Sequence, residues 1–286
     1  MNHRRFVIVK KHITLLEHDK FIDKEEIDRG GYGVISKSKM KTSEGKEKVV
    51  AIKKNEKQKI AKNEIIILFT IRDHQNIINF HGIIKTSDEC YGIVLQFADE
   101  GNLQEYLNKN FLRLEWTDKL RIATEITDGL AFIHQKRIIH CDFKTKNILV
   151  RNKTMLIADF GLSKRTYGKD NYNFGVSEYT DPQCINGKYD QKSDIYSLGI
   201  ILWEISNGKP PHESHEPFEV KELIPVEGTP TKYVNLYQKC RDKDPQNRPN
   251  VRAVHKILCV FAYQTEHIQH VDLYVVQIFF FTKCRK

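Results

Sequence analysis

Residues 140–147 read His140-Cys-Asp-Phe-Lys-Thr-Lys-Asn147, the stretch whose chemistry is the most specific in the sequence. Asp142 and Asn147 lie five positions apart in a predicted loop between a helix and a strand. A second motif, Asp159-Phe-Gly161, follows a short apolar strand predicted at 155–158. Together the motifs supply an acceptor for a hydroxyl proton and two hard oxygen ligands for metal ions. Phosphoryl transfer through magnesium requires this combination.

Two weaker signals precede this stretch. Ile27-Asp-Arg-Gly-Gly-Tyr-Gly-Val-Ile35 lies between two predicted strands, and its glycines would let backbone N–H groups approach a phosphate. Such patterns also occur in ordinary tight turns, and no Gly-Lys-Ser/Thr follows that would mark a Walker A loop. Lys53 ends the strand Val50-Ala-Ile-Lys53, and Glu64 lies eleven residues later in a predicted helix, where it could pair with Lys53. Taken singly, Lys53 could point into solvent and Glu64 could be a surface residue.

Composition indicates a folded protein of two lobes. The chain has 286 residues, of which 40% are hydrophobic and 29% charged. No apolar run reaches the roughly 18 residues of a membrane span, and the N-terminus lacks the apolar core of a secretory signal, so no membrane span is expected. The six cysteines are scattered without a CxxC pair. This pattern argues against a disulfide scaffold or a zinc site and favours a reducing, cytoplasmic setting.

The charge balance is basic, with 46 Lys and Arg against 37 Asp and Glu and a formal net charge of +9. A basic chain can bind nucleic acid or an anionic membrane. Ten lysines fall between Lys37 and Lys62, however, where they are mixed with glutamates, which favours a solvated face of a small lobe. The sequence has no zinc-finger spacing, RNP-like aromatic motif or homeodomain pattern, so nucleic acid is not an expected partner.

Predicted secondary structure divides the chain into a mainly β part followed by a mainly α part. Short β-branched runs fill the first third, interrupted by one helix predicted from about Glu56 to Arg72. After Gly101 the pattern becomes helical, and Thr117 is the predicted N-cap of a helix ending near His134. This order indicates two lobes with a ligand cleft between them.

The motifs, taken in order, resemble the eukaryotic protein kinase family: a glycine loop, Val-Ala-Ile-Lys, a helix glutamate, His-x-Asp-x-Lys-x-x-Asn and Asp-Phe-Gly. The resemblance continues through Ser193-Asp-Ile-Tyr-Ser-Leu-Gly199 and Asp244-Pro-Gln-Asn-Arg-Pro249 and covers residues 21–262. The stretches 94–103 and 225–230 are similar to the tyrosine-kinase-like group, in particular to its expanded families in filamentous fungi. The resemblance implies an α+β, bilobal protein kinase fold, with a small, mainly β N-lobe that carries one regulatory helix and a larger, mainly α C-lobe.

Within this fold we expect an N-terminal extension at 1–20, the kinase N-lobe at 21–98, the kinase C-lobe at 99–263 and an unassigned tail at 264–286. The tail contains an apolar, β-prone stretch, Val271 to Phe281. Two interpretations remain open for it: a poorly packed extension, or a helix or strand lying on the large lobe.

The resemblance also implies roles in a transfer of the γ-phosphate of ATP to a protein hydroxyl. Asp142 would accept the substrate proton, and Lys144 would stabilise the γ-phosphate. Asn147 and Asp159 would bind Mg²⁺. Lys144, two residues after Asp142, favours Ser or Thr as the acceptor and leaves Tyr open.

The remaining roles concern ATP binding and support of the site. Lys53 would hold the α- and β-phosphates, and Glu64 would orient Lys53. Asp194 would brace the catalytic loop. The other positions expected to contact ATP lie in the glycine loop, the N-lobe strands, the hinge and the strand after the catalytic loop. They are Ile27, Gly30, Gly31, Gly33, Ile35, Ala51, Gln96, Ala98 and Leu149. The residues expected behind the nucleotide are the gatekeeper Leu95 and the internal spine residues Leu68, His140 and Phe160.

Four features depart from the family pattern. Asp28 replaces the first loop glycine, and its carboxylate would repel a triphosphate unless it faces solvent or pairs with a cation. Cys141 replaces the arginine that pairs with a phosphorylated residue of the activation segment, which is expected at 159–182. Gln183 replaces the glutamate whose usual partner is Arg248, so we expect that bidentate ion pair to be lost. The segment 211–230 is short for the helix that normally projects from the large lobe.

These departures support a second hypothesis, a pseudokinase scaffold that binds nucleotide or protein partners without turnover. The intact set of Lys53, Glu64, Asp142, Asn147 and Asp159 favours an active kinase with protein substrates.

Overall fold

The structure is a computed structural model that describes residues 9–30, 33–42, 44–54, 58–85, 91–166, 177–186, 188–211 and 223–283. The first part of these residues forms a β-sheet with one packed helix, and the second part is mainly helical. This arrangement confirms the α+β, two-lobed fold expected from the sequence.

The small lobe is built on one twisted sheet. Its strands are β1 (Leu15–Leu16), β2 (Phe21–Gly30), β3 (Gly33–Lys41), β4 (Glu47–Lys54), β5 (Phe80–Lys85) and β6 (Tyr91–Gln96). They lie in the order β1-β5-β6-β4-β3-β2, and every neighbouring pair is antiparallel except β1 and β5. The antiparallel register of β3 and β4 pairs Ile35 with Lys53 and Lys37 with Ala51. Since alternate residues share one face of a sheet, Ile35, Ala51 and Lys53 lie on the same side.

Part of the predicted N-terminal extension joins this sheet. Leu15 and Leu16 pair in parallel with Ile83 and Ile84 of β5. The N–H of Ile83 donates to the carbonyl oxygen of Thr14 at 3.0 Å. Strand addition of this kind covers an open sheet edge with main-chain hydrogen bonds.

One helix, α1 (Gln58–Ile71), packs against the sheet. Its apolar residues recur every three or four positions, so that Ile65, Leu68 and Ile71 face the core and are at most 1% exposed. The same spacing places Glu64 on the buried side of α1, where it is 1% exposed.

The large lobe is helical. Its helices are α2 (Leu103–Asn110), α3 (Trp116–Gln135), α4 (Gln191–Asn207), α5 (Thr231–Cys240) and α6 (Val251–Lys283). Helix α4 is buried on nearly all sides, as expected for a helix that is apolar around its circumference. The Asp190 side chain caps its N-terminus, and Gly208 ends it at φ +77°, in the left-handed conformation that glycine adopts without steric cost.

The predicted N-cap of α3 is wrong. The helix begins at Trp116, with Glu115 rather than Thr117 at the cap position. The backbone N–H of Glu115 donates to a carboxylate oxygen of Asp118 at 3.3 Å. A carboxylate in the first turn thus bonds back to the chain before the helix, which is the reciprocal half of a capping box.

Two small β-ribbons hold the loops that carry the polar motifs. Strands β8 (Ile148–Arg151) and β9 (Thr154–Ile157) form an antiparallel hairpin, and β7 (Ile138–Ile139) pairs with β10 (Lys164–Arg165). Residues 140–147 connect β7 to β8, and residues 158–163 connect β9 to β10. Because both ends of both loops are tied by these ribbons, the two loops lie side by side.

The backbone of the tail is helical, since α6 continues to Lys283. Of the two packed forms considered for the tail, a helix or a strand on the large lobe, the backbone excludes the strand. Within the described residues, no helix is both long and apolar enough to cross a membrane. Most of the segment 211–230, whose shortness was noted in the sequence, lies outside the described residues.

Candidate active site

A cavity of about 720 Å³ lies between the N-lobe sheet and the β8 strand. Most of the residues expected to contact ATP line it: Ile27, Ile35, Ala51, Lys53, Gln96, Ala98 and Leu149. The predicted gatekeeper Leu95 also lines it. Gly30 of β2 and Gly33 of β3 are paired in the sheet, and Gly31 lies outside the described residues.

Lys53 is the electrostatic centre of this cavity. Its Nζ donates to Glu64 Oε1 at 2.8 Å and to Asp159 Oδ1 at 2.6 Å. Burial by itself would lower the pKa of Lys53, but the carboxylates of Glu64 and Asp159 outweigh burial and raise it above its ordinary value. Burial by itself would raise the pKa of Asp159, but the charge and the hydrogen bond of Lys53 outweigh burial and lower it. The lysine is therefore a fixed cation, 5% exposed, at the inner end of the cavity.

The catalytic-loop residues form a second cluster around Asp142. Lys144 Nζ donates to Asp142 Oδ1 at 2.9 Å. The side-chain Nδ2 of Asn147 donates to the Asp142 carbonyl at 2.7 Å and to Asp142 Oδ2 at 2.9 Å. Lys144, Asn147 and Asp159 all line the same cavity as Lys53, so the structure brings together every predicted catalytic and metal-binding residue.

Asp194 holds this loop from below. Its Oδ2 accepts the N–H of His140 at 2.9 Å, and its Oδ1 accepts the N–H of Cys141 at 3.1 Å. Cys141 has φ +68°, an uncommon conformation for a non-glycine residue that must be stabilised by its surroundings. The two bonds to Asp194 provide that stabilisation.

The predicted internal spine is packed. The ring centroids of His140 and Phe160 lie 5.2 Å apart, and Phe160 is fully buried. His140 Nε2 lies 3.0 Å from the carbonyl oxygen of Ala158, which fixes the ring between the two loops. Leu68 of α1, 1% exposed, belongs to the same hydrophobic core and so connects the helix that carries Glu64 to these loops.

Asp28, at the start of the glycine loop, lines the cavity and brings a carboxylate to it. Arg29, the neighbouring cation, donates its Nε–H and one Nη2–H to the two carboxylate oxygens of Glu26, each at 2.7 Å. Asp28 is itself exposed, so the repulsion expected between its carboxylate and a triphosphate is that of a solvated charge, which salt screens.

The expectation that Arg248 loses its bidentate partner is wrong. Asp181 takes over the role of the glutamate that Gln183 replaces, because its carboxylate accepts bonds from Arg248 Nη1 at 2.5 Å and from Nη2 at 3.1 Å. Gln183 instead donates its Nε2–H to the carbonyl of Lys243 at 2.9 Å. The sequence does contain the signal, since an aspartate stands two residues before Gln183 in Asp181-Pro-Gln183.

Sequence reasoning also missed a buried polar cluster beneath the catalytic loop. The hydroxyl of Tyr179 donates to Glu204 Oε2 at 2.6 Å, and Thr145 Oγ1 donates to Glu204 Oε1 at 3.2 Å. Glu204 is fully buried in α4. A single glutamate within the apolar run Ile200-Ile-Leu-Trp-Glu-Ile205 is the signal that could have revealed it.

Fold and site together define a protein kinase domain. A family model described as "Protein tyrosine and serine/threonine kinase" matches residues 21–258. The chain belongs to this family.

Curated relatives agree with the family. The chain is 33% identical over 208 residues to the probable serine/threonine-protein kinase kinX of Dictyostelium discoideum, a match that covers 68% of this chain and 19% of kinX. It is 31% identical over 273 residues to the putative serine/threonine-protein kinase/receptor R826 of Acanthamoeba polyphaga mimivirus, covering 86% and 16%. It is 29% identical over 269 residues to the dual specificity protein kinase zakA of D. discoideum, covering 82% and 34%. The matches therefore span about a third or less of each relative.

Proposed function

We propose that this chain is an ATP-dependent protein kinase that transfers the γ-phosphate of ATP to a protein hydroxyl. One observation carries the proposal: Lys53 bridges Glu64 and Asp159 in the cavity that also contains the residues hydrogen-bonded to Asp142. Phosphoryl transfer depends mainly on positioning and on charge stabilisation, and this arrangement supplies both.

The residues present fit magnesium. Asp159 offers carboxylate oxygens and Asn147 an amide oxygen, which are hard ligands of the kind that Mg²⁺ prefers. Because the Asn147 amide nitrogen is engaged by Asp142, the amide group is oriented with its donor side towards the loop. Bound Mg²⁺ would neutralise charge on the phosphate oxygens.

Asp142 and Lys144 act on the substrate hydroxyl and on the phosphate that it accepts. Asp142 receives the proton of the substrate hydroxyl, and its orientation is fixed by Asn147 and by Lys144. Lys144 also places a positive charge beside the γ-phosphate during its transfer. Lys53 holds the α- and β-phosphates and is itself kept in place by Glu64.

The acceptor is proposed to be Ser or Thr, with Tyr as a further acceptor. The Lys144–Asp142 contact at 2.9 Å supports it, as do the names of the relatives, which include serine/threonine and dual specificity kinases. The similarity of 94–103 and 225–230 supports a place in the tyrosine-kinase-like group near the expanded families of filamentous fungi. The described cysteines are free thiols, which supports the proposed cytoplasmic location.

The test is phosphate incorporation from labelled ATP into a Ser/Thr/Tyr peptide mixture, with and without Mg²⁺. Asp142→Asn should lower turnover by about three orders of magnitude while nucleotide binding stays near normal. The exposed residue Asp73 provides the matched control, because Asp73→Asn makes the same chemical change at a position that does not line the cavity. Near-native turnover in Asp142→Asn would refute the proton-acceptor role. Nucleotide binding by the unaltered protein without any transfer would establish the pseudokinase alternative.

A further inference from the structure

Asp181 and Arg248 form a buried ion pair outside the nucleotide cavity. They are 3% and 2% exposed, and two parallel N–H···O contacts join them at 2.5 and 3.1 Å. Two more hydrogen bonds hold the guanidinium, since Nε donates to the carbonyl of Asp242 at 2.8 Å and Nη1 to the carbonyl of Lys192 at 3.0 Å. A planar guanidinium that is bonded through all three of its nitrogens is a rigid attachment point.

The carboxylate of Asp181 also organises the turn that follows it. Its Oδ1 accepts the N–H of Gln183 at 3.1 Å, and its carbonyl accepts the N–H of Cys184 at 2.8 Å. These bonds begin the 3-10 helix Pro182–Asn186. Gln183 itself is exposed, and its side chain donates to the carbonyl of Lys243 at 2.9 Å. At this end of the activation segment the buried ion pair with Arg248 is therefore made by residue 181, whereas residue 183 contributes one exposed hydrogen bond.

The segment attached in this way forms a wall beside the catalytic residues. Ser177, Tyr179 and Asp181 line a cavity of about 180 Å³ that Asp142 and Lys144 also line. A displacement of residues 177–181 would change the space next to the proton acceptor. Lys53, Glu64 and Asp159 do not line this smaller cavity and would keep their contacts with one another.

We infer that Asp181 is a positioning residue: it positions the phosphate-accepting substrate by anchoring residues 177–186 to Arg248. The inference rests on the proposed kinase function. Removing one member of a buried ion pair leaves the other charge without its partner, so the attached segment should loosen. The hydrogen bonds of Lys53 to Glu64 and Asp159 involve no residue of 177–186, so ATP binding should be unaffected.

The experiment compares Asp181→Asn with Gln183→Ala. Asp181→Asn should lower kcat/KM for a Ser/Thr peptide by about tenfold or more, while KM for ATP changes by less than about twofold. Amide hydrogen exchange of residues 177–186 should quicken by about tenfold in Asp181→Asn, while α3 and α4 keep their protection. Gln183→Ala, the matched control, should stay within about twofold of the unaltered protein in both measurements.

A third variant covers a failure of Asp181→Asn to fold. Arg248→Lys keeps the charge and removes the planar fork, so it should fold and show the same changes to a smaller extent. Unchanged peptide kinetics and exchange in the folded variants would overturn the inference. Losses of equal size in Gln183→Ala would overturn it as well, because the anchor would then be residue 183. If the unaltered protein transfers no phosphate, the proposed function fails, whereas hydrogen exchange still decides whether Asp181 anchors the segment.

Discussion

The protonation of Glu204 should make the stability of this domain depend on pH in an unusual direction. Burial raises the pKa of Glu204 from its ordinary value of 4.5 to about 7, although hydrogen bonds from Tyr179 and Thr145 oppose the change. In the folded protein this carboxyl therefore keeps its proton at pH values where the unfolded chain has lost it. The favourable contribution is complete below pH 4.5 and is lost as pH rises through about 7.

The size of the effect follows from the two pKa values. At about 1.4 kcal/mol for each pH unit, titration between 4.5 and about 7 lowers the free energy of unfolding by about 3 kcal/mol. Glu204→Gln removes the titration and keeps a side chain that can bond to both hydroxyls. The difference in unfolding free energy, native protein minus variant, should fall by about this amount with rising pH.

The assay is urea denaturation of both proteins from about pH 5 to about pH 8, where most of the change falls. Other titrating groups cancel in the difference. Glu227→Gln serves as the control, because Glu227 is exposed and lies in a turn away from the cluster. A difference between native protein and Glu204→Gln that is constant over this range would refute the reasoning. So would a difference that grows in favour of the native protein as pH rises.

Three further predictions follow from single residues. Asp28→Gly should tighten ATP binding by about a few-fold, and more at low salt, because it removes a carboxylate from the cavity lining; unchanged or weaker binding in a low-salt titration would contradict this. Phosphatase treatment should leave kinase activity unchanged, since the neutral thiol of Cys141 cannot bind a phosphorylated residue of the activation segment. In Cys141→Arg, activity should depend on that phosphorylation. A large loss of activity in the treated native protein, reversed by rephosphorylation, would contradict this prediction. Gly82→Ala should lower the free energy of unfolding by about 2 kcal/mol in urea denaturation. Gly82 has φ +147°, and a Cβ there would clash with the carbonyl of Thr14, so a smaller loss would show that β1 yields easily.

The fold and the centre of the site could be predicted because their signals are local or have fixed order. The spacing of apolar residues predicts which face of α1 is buried, and the short β-branched runs in the first third of the chain predict the strands of the small lobe. The polar residues of the loops 140–147 and 158–163 then meet because each loop follows a short apolar strand. Hydrogen bonds such as Asn147 to Asp142, five residues apart, lie within one loop and need no long-range information.

The features that escaped prediction depend on contacts between distant parts of the chain. Asp181 and Arg248 are 67 residues apart, so only the folded protein shows which acidic residue reaches the guanidinium. The parallel pairing of Leu15 with Ile83 has the same origin. The N-cap error at α3 has a different origin. Thr117 is of a favoured cap type, but the helix begins one residue before it, at Trp116, with Glu115 at the cap position.

The departures from the family pattern differ in what they change. At Gln183 the lost carboxylate is replaced by Asp181, so the attachment of the segment to Arg248 survives. At Cys141 the backbone N–H still bonds to Asp194, and only the side chain has changed. Burial raises the pKa of that thiol well above its ordinary value, so the position stays neutral and brings no charge to the segment. The contacts that position the reacting groups are therefore retained, while the contact that would make them respond to phosphorylation is absent from residue 141. A kinase that keeps the first set and lacks the second is expected to be active without a phosphorylated segment.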